Sequence, residues 1–206
     1  MKSKELVVEF IGTLILIFIG AGTAASEHGD VLEASLAHGL VVISVIYLFG
    51  DISGAHINPA VTFSFALTRR MTWAKAGLFI ISQMAGGIAG ALLLILTFGG
   101  TDNGLGATVL SPEISIAQGF LIETILTFLL VNAVIQAGPR GFAGKLSGIV
   151  IGVTLMALIL LGGPLTGASL NPARTLGPAL FTGNLNLFPL YLVSTFSGSA
   201  LAGIFD

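Results

Sequence analysis

The stretch "SGAHINPAVTF", residues 53–63, closes an apolar run, and a near copy, "TGASLNPARTL", follows at residues 166–176. Asn is a favoured N-cap, because its side-chain oxygen accepts from the first free backbone N–H groups of a helix. Pro suits the first helical position, where its missing N–H costs nothing and its fixed φ is already helical. Asn58-Pro59-Ala60 and Asn171-Pro172-Ala173 therefore each read as a helix start. The residues that follow, "AVTFSFAL" from Ala60 and "ARTLGPALF" from Ala173, stay apolar for only about ten positions, half of what crosses a bilayer. Two short helices entering from opposite faces and meeting N-terminus to N-terminus at the midplane satisfy these facts together. Irregular backbone is tolerated at that depth only against protein or a water-filled cavity.

The composition demands a membrane. Charged residues make up 9% of the 206 and hydrophobic residues 54%, whereas a soluble domain is about a quarter charged. A formal charge of −2 excludes a basic nucleic-acid binder. There is no Cys, so neither a disulfide framework nor a thiolate metal site is available. Nothing in the chain resembles a phosphate-binding Gly loop or a nucleophile–base–acid set, so no enzyme, cofactor or metal site is expected.

Six apolar runs are long enough to span: roughly 6–25, 34–50, 76–99, 114–137, 146–163 and 185–205. The opening "MKSKELVVEFIGTLILIFIGAGTAAS" starts like a secretory leader. Its apolar part is longer than a leader core, and Glu9 within it has a later counterpart, so it reads as the first span. With six spans, Lys2, Lys4, Arg69, Arg70, Lys75, Arg140 and Lys145 all fall on one side. The positive-inside rule makes that side, and both termini, cytoplasmic. The opposite loops hold Glu27, His28, Asp30, Glu33, Asp102, Glu113 and one basic residue, Arg174. The cell membrane is the expected location, and the short tails are those expected of a minimal microbial form or a trimmed chain.

The chain also repeats itself. Glu9 in "EFIGTLILIF" and Glu123 in "ETILTFLLV" stand 114 residues apart, and Asn58 and Asn171 stand 113 apart. Each half, approximately 1–100 and 114–206, carries three spans, so the second must insert upside down within one domain over 1–206. Inverted repeats of this kind build transport folds whose site lies at the midplane between the halves. The expected fold is an all-α membrane protein of six transmembrane helices and two re-entrant half-helices. At its centre two helix N-termini, each worth about half a positive charge, aim at one point. The amide N–H groups of Asn58 and Asn171 are expected to be free to face a pore. Such a centre accepts the oxygen of a neutral solute and repels cations, a migrating proton included.

The paired "SGAHINPAVTF" and "TGASLNPARTLGPA", the Glu at the head of each half and the six-span spacing resemble the aquaporin (major intrinsic protein) family over essentially the whole chain. The resemblance implies one pore per subunit in a homotetramer embedded in the lipid bilayer, with water and small uncharged solutes as its cargo. It also implies a second narrowing, through His38, Ile159, Ala168 and Arg174. Depth agrees with this: His38 lies near the outer end of span two, Ile159 near the outer end of span five, and Arg174 in the outer loop. A guanidinium at membrane depth is costly and usually functional, and the repeat puts Val61 where Arg174 would be. His with apolar Ile and small Ala resembles the plant vacuolar-membrane branch, which implies passage of ammonia or urea besides water. Glycerol facilitators of the family follow the Arg with Asp, whereas this chain has Thr175.

Glu9 and Glu123 are expected to accept hydrogen bonds from the re-entrant loops around His56 and Ser169, with His56 a loop brace and Gln83 assisting. Three other classes stay open: a small-solute or metalloid facilitator with low water permeability, a gradient-coupled secondary transporter, and a non-conducting membrane protein of the same fold.

Overall fold

The computed structural model describes residues 3–27, 29–138, 141 and 143–206. Lys2 and Arg140 of the charge pattern, and His28 of the outer loop, lie outside the described residues. In chain order the helices are α1 (Ser3–Ala25), α2 (Val31–Ser53), α3 (Pro59–Leu67), α4 (Trp73–Phe98), α5 (Ile116–Ala137), α6 (Gly144–Thr166), α7 (Pro172–Thr182) and α8 (Asn184–Phe205). There is no strand among the described residues. Six helices are long and apolar enough to cross a membrane, and α3 and α7 are the half-helices.

Several helix ends depart from the apolar runs by two or three residues, in α2 and α5 because polar caps, not hydropathy, set them. The side chain of Asp30 accepts from Glu33 N at 2.9 Å to open α2, and Gly54 at φ 92° closes it. Ser115 and Gln118 form a capping box at the head of α5. Inside α1, Leu16–Ala21 is π-helical, a departure that the sequence did not announce.

Small residues let the helices close on one another. A Cβ on Gly86 would lie 2.3 Å from Phe10 O, and one on Gly198 2.2 Å from Thr124 O, so α1–α4 and α5–α8 pack alike in the two halves. Gly39 and Gly152 are repeat counterparts and meet each other. A Cβ on either would sit 2.6 Å from the other's carbonyl oxygen, so α2 and α6 cross where the two halves interlock. Large apolar side chains such as Leu48, Ile81, Leu96 and Leu161 remain exposed on the outside of the bundle, as a lipid-facing wall requires. At one end Lys75 Nζ pairs with Glu5 Oε2 at 3.1 Å and Arg70 pairs with Asp206, which brings the start of α1 and the last residue to the same face. We call this the terminal face.

Candidate functional site

The half-helices begin as their sequences require. Asn58 (φ −152°, ψ 118°) and Asn171 (φ −153°, ψ 109°) hold the same extended conformation. Asn58 Oδ1 accepts from Ala60 N at 2.8 Å, and Asn171 Oδ1 from Ala173 N at 2.9 Å and Arg174 N at 3.3 Å. The two side chains also cross. Asn58 Nδ2 donates to Leu170 O at 2.8 Å, and Asn171 Nδ2 donates to Ile57 O at 2.9 Å. Of the amide N–H groups expected to be free, one on each Asn is spent on the opposite loop and one is left over. The crossed pair fixes the two N-termini against each other. At about 1.5 Å per residue, the nine and eleven residues of α3 and α7 together reach about 30 Å, one hydrocarbon thickness.

Each re-entrant loop is strained and held by a buried carboxylate. Ala55 and Ile57 have φ of 48° and 42°, and their counterparts Ala168 and Leu170 have 47° and 52°. A residue with a side chain pays about 1–3 kcal/mol for such a conformation. Successive N–H groups are turned to one side, where Glu9 accepts from His56 N (3.0 Å), Ile57 N (2.7 Å), Ser53 Oγ (2.6 Å) and Gln83 Nε2 (2.8 Å). Glu123 does the same for Ser169 N (2.8 Å), Leu170 N (3.0 Å) and Thr166 Oγ1 (2.6 Å). Bonds to a charged acceptor contribute about 1.5–3 kcal/mol each, so three or four of them outweigh the strain of two residues and offset part of the carboxylate's desolvation. Behind each loop a further contact ties it to its half-helix. His56 Nδ1 meets Thr62 Oγ1 at 3.1 Å in one half, and Ser169 Oγ meets Thr175 Oγ1 at 2.6 Å in the other.

Two cavities run through the bundle. The larger, about 710 Å³, opens near Tyr47, Asp51 and Lys145 toward the terminal face and reaches past both asparagines. The smaller, about 180 Å³, opens near Gly29, Asp30 and Gly106 at the opposite end. Four residues line both of them: His38, Ile159, Ala168 and Arg174. His38 Nδ1 lies 2.7 Å from Ala34 O. A carbonyl only accepts, so Nδ1 carries the hydrogen, and the Nε2 of the neutral ring is an acceptor with no protein partner. Arg174 Nη1 donates to Gly106 O at 2.6 Å, while its Nε is unpaired. The four thus set an imidazole and a guanidinium, each with one buried nitrogen left without a protein partner, beside the apolar Ile159 and Ala168.

Several contributors went unseen in the sequence. Gly106 orients Arg174 through a backbone carbonyl, which no side-chain pattern reveals. Thr108 Oγ1 reaches Thr175 Oγ1 at 3.0 Å, so the α4–α5 loop helps anchor α7; the only hint was its Gly-rich "NGLGAT". Ser53 and Thr166, the hydroxyl partners of the two Glu, were also missed, and their equivalent positions in the repeat are the signal that could have found them. The described residues contain no cluster of His, Cys, Asp and Glu able to hold a metal.

An inverted pair of three-helix halves, joined through two half-helices beside two cavities that share four lining residues, defines a multi-pass integral membrane protein built on a transport fold. The model of the major intrinsic protein family matches residues 1–205, and the chain belongs to that family. It is 37% identical to aquaporin AqpM of Methanothermobacter marburgensis, covering 98% of this chain and 95% of that one. It is 38% identical to glycerol uptake facilitator protein-like 6 of Lactiplantibacillus plantarum, covering 97% and 94%. The crystal structure of the aquaglyceroporin from Plasmodium falciparum superposes with a TM-score of 0.82 at 26% identity, over 98% of this chain and 93% of that chain.

Proposed function

We propose that the protein is a passive channel for water and small uncharged solutes, among them ammonia, urea and glycerol, that excludes ions and protons. The meeting of the two cavities at His38, Ile159, Ala168 and Arg174 carries this reading. A solute passing that ring exchanges its water partners for His38 Nε2 and the Arg174 guanidinium, and slides past Ile159 and Ala168. These four residues are the selectivity filter. Asn58, Pro59, Ala60, Asn171, Pro172 and Ala173 form the pore centre, where the spare amide hydrogen of each Asn donates to the passing oxygen. Glu9, Glu123 and His56 are buttresses that keep the loops in place.

Charge is refused by magnitude. A cation about 5 Å from a helix N-terminus of half a charge, at an effective dielectric constant near 20, is opposed by about 1.7 kcal/mol. Two such ends give about 3 kcal/mol, roughly a hundredfold in rate, before Arg174 adds its own charge. A neutral solute meets none of this.

The names of the relatives, which include aquaporins and a glycerol facilitator, support both water and polyols as cargo. The whole chain, 1–206, acts as one channel domain and assembles as a homotetramer with one pore per subunit. The basic residues make the terminal face cytoplasmic, with the cell membrane as the site of action. Stopped-flow light scattering of proteoliposomes tests the reading. We expect water flux well above the lipid background, measurable urea and glycerol flux, and no effect of mercurials because no thiol exists. Flux no greater than that of empty vesicles, or uptake that follows a sodium or proton gradient, would overturn it.

A further inference from the structure

Helix α1 leaves the α-helical path for one stretch, the π-helical Leu16–Ala21. Such insertions are rare and gather at functional sites. Relative to an uninterrupted helix, one inserted residue turns everything after it by about 100°. Gly20 lies within this stretch and packs against His38 of α2. A Cβ built on Gly20 would lie 2.6 Å from His38 Cδ2 and 2.7 Å from both Cγ and Nε2. The imidazole therefore rests on bare backbone, in space that any other residue would fill. On its own helix the ring is tethered by the 2.7 Å contact of Nδ1 with Ala34 O. The same residue is one of the four that line both cavities.

We infer that Gly20, presented by the π-helical stretch, is a specificity-determining residue that seats His38 back from the pore axis and so sets the clearance for solutes larger than water. It touches no solute itself and acts through the ring. With a methyl at position 20 the imidazole must give way, and the open direction is toward Ile159, Ala168 and Arg174. The inference rests on the channel reading above, since it concerns the width of the same constriction.

The experiment compares wild type, Gly20→Ala, His38→Ala and the double variant in proteoliposomes, with water, urea and glycerol permeability normalised to reconstituted protein. Gly20→Ala is expected to lower glycerol and urea permeability relative to water by about tenfold, the factor given by about 1.4 kcal/mol of added barrier. The double variant should show the ratio of His38→Ala, because with no imidazole the methyl obstructs nothing. A purely structural glycine would lower all fluxes together and would not be rescued. An unchanged ratio in Gly20→Ala, or a double variant as restricted as the single, overturns the inference. Failure of Gly20→Ala to fold, whether or not His38→Ala restores folding, would make Gly20 a packing residue and overturn the inference. If wild type passes water alone, the same loss and rescue are read on water flux. Wild type that passes nothing defeats the channel reading itself.

Discussion

The ring shared by the two cavities has a mirror image on the other side of the asparagines. Moving each member by the 113-residue repeat takes His38 to Ile151, Ile159 to Ile46, Ala168 to Ala55 and Arg174 to Val61. All four counterparts line the larger cavity. The backbone is the same on both sides, down to φ of 48° at Ala55 and 47° at Ala168. The chemistry is not: one ring holds an imidazole and a guanidinium, and the other is entirely aliphatic. The problem of placing half-helices in a bilayer is solved twice with the same parts, while the polar side chains of the proposed filter stand at one end only. Braces should therefore fail equally in either half, and filter changes should matter on one side.

The largest effects are expected at the shared parts. Glu9→Ala and Glu123→Ala each strand two buried main-chain N–H groups, at about 1–3 kcal/mol apiece, and release two strained residues. Against a total stability of about 5–15 kcal/mol, both variants should lose most of their folded, monodisperse protein on mild heating in detergent, and by similar amounts. A variant that tolerated Glu123→Ala but not Glu9→Ala would break the symmetry argument. The halves do differ in one brace, since Gln83 donates to Glu9 and Thr62, and among the described residues no side-chain amide donates to Glu123. Gln83→Leu makes the first brace resemble the second and should cost only about 1–2 kcal/mol, partly because Gln83 Oε1 has no partner to lose.

Arg174→Val tests the asymmetry directly, by giving one ring the residue that the other already has. Removing a full charge about 5 Å from the axis lowers the cation barrier by up to about 3 kcal/mol at an effective dielectric near 20. Cation leak, read with a pH-sensitive dye or by conductance in planar bilayers, should rise up to about a hundredfold, and glycerol flux should rise with the added width. The crossed asparagines and helix ends are untouched, so exclusion should weaken without vanishing. Unchanged leak would move the selective charge away from Arg174 to the centre.

These comparisons also show which features a sequence can carry. Helices appear wherever long apolar runs meet capping residues, and the half-helices appear because Asn-Pro fixes a start and length forbids a span. The Glu pair was legible because a carboxylate in an apolar run stands out and recurs at the repeat interval. The π-helical stretch was not, because "LIFIGA" is apolar on every face and has no periodicity for an inserted residue to disturb. The crossed asparagine bonds escaped for a different reason: they join residues more than a hundred positions apart through main-chain carbonyls. The grip of Gly106 O on Arg174 has the same character, because the acceptor is a peptide group that every residue owns.

The smallest effect is expected at the aliphatic ring, and a null result there carries the most information. Val61→Ala removes two methyl groups from the position that mirrors Arg174, in a cavity wall that offers a solute only dispersion contacts. If selection is exerted at His38, Ile159, Ala168 and Arg174, widening the other ring leaves the selecting side chains untouched. The ratio of glycerol to water permeability should then change by less than about twofold, which is under about 0.4 kcal/mol of barrier. A larger change would mean that the aliphatic ring filters too, through the cost of drying a narrow apolar passage. Selection would then be shared between the halves, and only the means would differ: hydrogen bonding at one end and dewetting at the other.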